Sequence, residues 1–368
     1  MNLDQIRAEF EAGFASGQEV GASVSVWKDG VEVMTLCHGH TDKSQTTTWS
    51  EDTIVPVFSA TKGPAAATLM LCLDEAGMDL ETEVRRVWPE FPVSGASFGD
   101  MISHQCGLCG VDGEYQALDY DGIIHAIETQ EPLWEPLEEH GYHPRLGGFM
   151  QDECVRRLTG QTLGEVWRER VAEPLGIDFW IGLPESEHHR VATLYAGKMR
   201  PEQMKEGFYG EIARAGTIVN TAFRSPKGVQ GASEMNKPEN WVAGYPAMGG
   251  VGSAAALAKF YQAAMGHLEG SPFRESIRSQ FNERRVNGDD LVLCAPTSFG
   301  GGFMMDPVDA DGQKVRSLIG TDQLGFGHPG AGGSHAFADP TSGYSFAYVM
   351  NQMEVSVLPG EKVKRMVQ

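Results

Sequence analysis

Positive charge is scarce in this chain. Its 368 residues carry 29 Lys and Arg against 50 Asp and Glu, a formal net charge of −21, and a field of that sign repels polyphosphates and anionic lipid. Neither nucleic acid nor a membrane surface is an expected partner. Cysteine is also sparse: Cys37, Cys72, Cys106, Cys109, Cys154 and Cys294 are too few and too scattered for a disulfide framework in a chain of this length. Cys106 and Cys109 form a C-x-x-C pair, but no second pair completes a zinc site. Long apolar runs are missing as well. The best, residues 65–73, is about half of the ~18 residues a membrane span needs, and the opening Met1–Arg7 has no basic stretch leading into an apolar one. These absences lead us to expect reduced, structural thiols and a cytoplasmic location. His104, His188 and His189 stand near carboxylates, yet no H-E-x-x-H or comparable spacing occurs, so neither a metal nor another cofactor is expected.

What is abundant is glycine. Forty-five glycines and 19 prolines, in a chain that is 41% hydrophobic and 21% charged, suit a globular, loop-rich enzyme better than a helical bundle. Leu3, Ile6, Phe10 and Phe14 share one helical face, predicting an opening helix over 3–15. Strand periodicity follows. Val20, Ala22, Val24 and Val26 alternate with small or polar residues, Asp29-Gly30 supplies a two-residue turn, and 31–38 returns as a second strand. A matching hairpin, 334–338 and 344–350, flanks the turn cluster Asp339–Gly343. Between the hairpins most segments read as helical. Thr162 and Glu165 make a capping box before Leu163, Val166, Trp167 and Val171, and Ser253 can cap a helix carrying Leu257, Phe260, Tyr261 and Ala264. Residues 197–250 show no clear period.

Strands at both chain ends and helices between them predict an α+β fold: one antiparallel sheet assembled from the two termini and covered by helices, an α/β sandwich with a helical insertion. The expected division is 1–95 with 251–368 as the sheet domain and 96–250 as the insertion, with a site in the cleft between them. The oligomeric state is left open, a homo-oligomer being neither required nor excluded.

The sharpest local signal is Phe58-Ser59-Ala60-Thr61-Lys62. If Ser59 sits at the first turn of the helix that follows, Lys62 lies one turn on, on the same face, with its amine in reach of the hydroxyl. A desolvated lysine can take a serine's proton, and a helix N-terminus favours a developing oxyanion. The bland alternative is a capping serine beside a solvated lysine. Two other patterns fail: Gly325–Gly330 formally fits G-x-G-x-x-G but leads into a hairpin instead of a helix, and no G-x-S-x-G elbow occurs. The aromatics Tyr115, Tyr120, Trp134, Tyr209 and Trp241, all in the insertion, are candidates either to line an apolar acyl pocket or simply to fill core.

The segment from Asp52 to Leu80 resembles the nucleophile region of the serine β-lactamase and penicillin-binding-protein superfamily, especially the class C-like branch that includes the family VIII carboxylesterases. Gly141-Tyr142-His143-Pro144 resembles that family's tyrosine loop, and Gly327–Gly333 stands where its Lys-Thr-Gly strand belongs. Ile102–Leu108, Val171–Gly176 and Pro246–Gly249 extend the likeness over most of the chain. The resemblance implies Ser59 as nucleophile, Lys62 and Tyr142 sharing its proton, and the amides of Ser59 and Ala331 as the oxyanion hole. It also places His328 near the leaving group; Gly330 is expected against the substrate because a glycine there lets a strand edge come close, and Trp241 because it is among the aromatics that can line an acyl pocket. Two departures set this chain apart. His328 replaces a permanent cation with a mostly neutral imidazole, and Pro144 stands where an asparagine side chain is usual. Both favour small neutral esters as substrates over carboxylate-bearing lactams. A β-lactamase, a D-amino-acid amidase or peptidase, or an acyltransferase are the alternatives within the fold, and a non-catalytic binding protein is the alternative outside catalysis.

Overall fold

The computed structural model describes residues 1–202, 205 and 207–367. The N-terminal hairpin forms where alternation predicts it, with β1 at Gly21–Lys28 and β2 at Val31–Gly39. Its turn residues Asp29 and Gly30 both have positive φ, 48° and 82°, the conformation a tight hairpin of this length requires. Three short strands follow, β3 (Val55–Pro56), β4 (Phe179–Trp180) and β5 (Val251–Gly252), which pair with each other as a small separate sheet in the order β3-β5-β4. The C-terminal third supplies β6 (Val286–Asp289), β7 (Pro296–Phe299), β8 (Met304–Met305), β9 (Phe326–Pro329), β10 (His335–Asp339) and β11 (Tyr344–Met350). Together with the N-terminal hairpin they make one eight-stranded sheet, β2-β1-β11-β10-β9-β8-β7-β6. All of its pairings are antiparallel. The sheet is thus built from the two chain ends, as the positions of the hairpins imply.

Residues 21–26 of β1 are buried without alternation, because both faces of the sheet are covered. On one face Ala22, Val24 and Val26 join a core with Ile6 and Phe10 of the helix Leu3–Ala15 and with Val363 and Met366 of the helix Glu361–Val367. On the other lies the helix Ala254–Met265, capped by Ser253 and packed on β1, β10 and β11. Small residues let it sit close: Ala336, Ala338 and Ala347 face the same core as Leu257 and Phe260, and the Ser345 hydroxyl donates to the Ala258 carbonyl at 2.7 Å.

That second core continues into the middle of the chain, through the helices Lys62–Glu75 and Leu146–Thr159, which pack against each other. The Thr162 capping box forms and starts the helix Leu163–Trp167. Trp167 is fully buried, and its indole N–H donates to the Phe179 carbonyl at 2.9 Å; truncation of such a ring costs about 3–5 kcal/mol. Residues 197–250, without period in the sequence, contain the short helices Gly207–Ala213, Ile218–Arg224, Ala232–Met235 and Pro238–Ala243. Each is too brief to show an amphipathic repeat. Among the described residues no helix is long and apolar enough to cross a membrane.

Candidate active site

Ser59 lies in a 3₁₀ turn, Phe58–Thr61, that runs directly into the α-helix beginning at Lys62. The turn is held from both sides. The Val57 amide donates to the Gly250 carbonyl at 3.0 Å, and the Gly250 amide donates to the Thr61 hydroxyl at 2.9 Å. A Cβ at Gly250 would stand 2.4 Å from Cζ of Phe179 and 2.6 Å from that hydroxyl, so only glycine lets the strand approach. This clamp sustains an unusual backbone at Phe58, whose φ is +50°. A non-glycine residue in that region costs on the order of 1–3 kcal/mol and is kept only where its surroundings enforce it. Here it turns the chain so that half-buried Ser59 stands at the start of a buried helix.

Lys62 is 2% exposed. Its Nζ donates to the carbonyls of Ala247 at 2.8 Å and Pro144 at 3.0 Å, stands 3.5 Å from Ser59 Oγ, and lies 4.7 Å from the centre of the Tyr142 ring. A neutral amine has two N–H donors and one lone pair. In its neutral form, with both donors going to the carbonyls, the lone pair is left for the serine. Burial holds the Lys62 amine well below the ordinary lysine range, and the neighbouring Arg145 guanidinium pushes it further down. Arg145 is 6% exposed and donates to the Phe223 carbonyl; burial lowers its own pKa to about 10.

Tyr142 arrives from the loop before the helix Leu146–Thr159 and is 3% exposed. Burial raises its phenol above the ordinary tyrosine range, hydrogen bonding with Ser59 opposes that rise, and the charge of Asp290 adds to it. Its ring is enclosed by Phe299, stacked at 6.1 Å, His104, edge-on at 5.0 Å, and His328, stacked at 5.8 Å. Behind them the His143 ring, 5.3 Å from His104, accepts from the Leu108 amide and pairs with the Gly141 carbonyl. Burial keeps these imidazoles neutral: those of His104 and His328 fall well below the ordinary histidine range, and that of His143 drops to about 3. Three neutral imidazoles thereby stand around and behind one phenol.

The structure brings Ser59, Lys62 and Tyr142 together, and it fixes the surroundings of the remaining expected site residues. Gly330 follows β9, and a Cβ there would stand 2.1 Å from the Val57 carbonyl oxygen; the absence of a side chain lets this segment lie against the one that carries Ser59. Among the described residues neither the Ser59 amide nor that of the next residue along, Ala331, donates to a protein acceptor. His328 is only 1% exposed, its Nδ1 pairs with the Pro329 carbonyl, and its Nε2 has no partner among the described residues. Its ring is a buttress behind the phenol and is enclosed instead of facing an open cleft. Trp241 is used in packing: it joins Ile54, Leu183 and Val251 in a small cluster of its own, and its indole N–H donates to the Met235 carbonyl.

Sequence reasoning missed Asp290, Arg145, Phe299 and the Ala247 carbonyl. Two of the segments noted only for their likeness now have physical roles. Pro246–Gly249 supplies the carbonyl that holds Lys62, and 102–108 supplies His104, which takes a φ of +70° to set its ring against Tyr142.

Known proteins show the same plan. The profile of the beta-lactamase family matches residues 6–363. LipL of Mycobacterium tuberculosis, named an esterase/beta-lactamase, is 30% identical over 363 residues, which cover 94% of this chain and 80% of LipL. A penicillin-binding-protein homologue from Caulobacter crescentus superimposes with a TM-score of 0.86 at 34% identity, covering 99% of this chain and 95% of that one. A family VIII carboxylesterase gives a TM-score of 0.84 at 28% identity, again covering 99% and 95%.

Proposed function

The chain belongs to the beta-lactamase family of serine hydrolases, and from that premise we propose that it cleaves small, neutral carboxylic esters through a covalent acyl-enzyme on Ser59. One observation carries the proposal: the buried Lys62 amine, held by the carbonyls of Ala247 and Pro144, stands 3.5 Å from the Ser59 hydroxyl. Ser59 Oγ bonds to the ester carbonyl carbon while its proton passes to Lys62. The Tyr142 phenol, kept protonated by burial, hands a proton to the departing alkoxide as the carbon–oxygen bond breaks and is reprotonated from Lys62. Water then attacks the acyl group as Lys62 takes its proton, the acyl–Oγ bond breaks, and Lys62 returns that proton to Ser59 Oγ as the acid leaves. The amides of Ser59 and Ala331 are the proposed donors to the oxyanion.

Ester preference is supported by what surrounds the nucleophile. The Pro144 carbonyl is engaged by Lys62, the residue has no side-chain amide for an acylamide group, and His328 is enclosed and neutral where a fixed cation would attract a substrate carboxylate. The names of LipL and of the family VIII carboxylesterase point the same way. LipL's name also includes lactams, so both substrate classes belong in the test. Ser59→Ala is expected to abolish hydrolysis of a short p-nitrophenyl ester, and the wild type to turn over a chromogenic cephalosporin far more slowly than the ester. Undiminished esterase activity in Ser59→Ala would refute the mechanism; faster turnover of the cephalosporin would refute the ester preference.

A further inference from the structure

Asp290 is a buried carboxylate, 2% exposed, lying outside the segments that carry the nucleophile and its lysine. Its bonding is unusually concentrated. Oδ1 accepts from three backbone amides, Tyr142 at 3.0 Å, Val292 at 2.9 Å and Leu293 at 2.8 Å. Oδ2 accepts from the Thr297 hydroxyl at 3.0 Å, and that hydroxyl pairs with His140 Nε2 at 2.9 Å. The turn between β6 and β7 is therefore stitched to the tyrosine loop, with a further bond from the Leu291 amide to the His140 carbonyl at 3.1 Å. Phe299, two residues beyond Thr297, stacks on the Tyr142 ring with an interplanar angle of 10°. One turn thus grips the tyrosine at both ends, amide and ring.

A carboxylate taken out of water costs several kcal/mol unless donors replace the lost hydration. Folding the turn alone would not require it, since Val292 and Leu293 need only an acceptor. What the charge adds is strength, about double that of a neutral hydrogen bond, at the one bond that crosses to Tyr142. We propose that Asp290 is a positioning residue for the proposed reaction: it holds the Tyr142 backbone so that the phenol stays at the serine and the amine. The inference rests on the Ser59 mechanism above and assigns Asp290 no contact with substrate.

The experiment is a double-mutant cycle on ester hydrolysis with Asp290→Ala and Tyr142→Phe, measuring kcat and KM for each variant alongside thermal melting. A misplacement of about 1 Å typically costs about 100-fold, so Asp290→Ala is expected to lower kcat about 30- to 100-fold with KM changed less than about threefold. In the Tyr142→Phe background, where no phenol remains to be placed, the same change is expected to cost less than about threefold. Equal losses in the two backgrounds, or no loss in the wild-type background, would overturn the proposal, because a general loosening of the fold does not depend on the phenol. If Asp290→Ala does not fold, Asp290→Asn takes its place in the cycle. It keeps the shape and weakens the bond, so a kcat loss of about fivefold that vanishes with Tyr142→Phe is expected, and wild-type kcat would overturn the role. Ser59→Ala, run in parallel, separates this result from a failure of the mechanism itself.

Discussion

The two halves of the site are assembled by different means. Ser59 and Lys62 are three residues apart, and one helical turn places them on the same side of one buried element. Tyr142 reaches the same point from a loop secured by a carboxylate 148 residues away in sequence, by a ring from β7, and by the imidazoles of His104 and His328 from two other segments. Local geometry puts the first half on one element, and contacts from Gly250, Ala247 and Pro144 then fix its turn and its amine. Long-range closure sets the second, so its precision depends on contacts distant from the chemistry.

The largest expected effect tests the local half. Lys62→Met keeps most of the side-chain volume and removes the amine, so kcat for ester hydrolysis is expected to fall by about 10³- to 10⁴-fold across the whole pH range. Recovery of that variant at high pH would show that hydroxide or Tyr142 can replace the lysine, and would dissolve the distinction between the halves.

A smaller effect reports how the second half tunes the first. Arg145, three residues after Tyr142, depresses the Lys62 amine, and the lysine acts as a base only when neutral, so activity rises as pH climbs through its pKa. Removing the guanidinium eases protonation and raises that pKa. Arg145→Met is therefore expected to move the acidic limb of the kcat profile to higher pH and to lose a few-fold in rate near neutrality. An unmoved limb would leave burial alone as the cause.

The smallest effect is on stability. His143 has a pKa near 3 in the folded protein, against about 6.5 in an unfolded chain. Its contribution to stability is complete above pH 6.5 and is lost as pH falls toward 3, amounting to about 2 kcal/mol by pH 5. His104 and His328 shift in the same direction. The melting temperature is accordingly expected to drop by several degrees between pH 7 and pH 5, with His143→Gln flattening the slope. A melting temperature constant over that interval would contradict the neutral, buried state of these rings.

Much of the molecule was legible beforehand. The terminal hairpins, the Thr162 and Ser253 caps and the joining of both chain ends in one sheet follow from alternation, turn residues and capping patterns that act over a few positions. Ser59 and Lys62 belong to the same class of signal. Tyr142 was recognised through resemblance alone, since a tyrosine beside a glycine in a loop carries no local mark of chemistry. Asp290 was invisible for a similar reason: in the sequence, Asp289-Asp290 reads as an ordinary hydrophilic turn, and nothing nearby indicates that one of the two is sealed inside the protein. Trp241, expected against the substrate, packs instead with Ile54, Leu183 and Val251, because composition does not say which aromatic ring faces a cleft.

The amino-acid order by itself determined the opening helix, the two terminal hairpins, the capped helices after Thr162 and Ser253, and that a hydroxyl and an amine share the start of a helix; these depend on forces between near neighbours. The tertiary structure alone decided that the amine is dry and held by the carbonyls of Pro144 and Ala247, that the phenol is walled by neutral imidazoles, and that Asp290 anchors it. Desolvation and convergent hydrogen bonding arise only when distant parts of the chain exclude water together, and no local pattern encodes them.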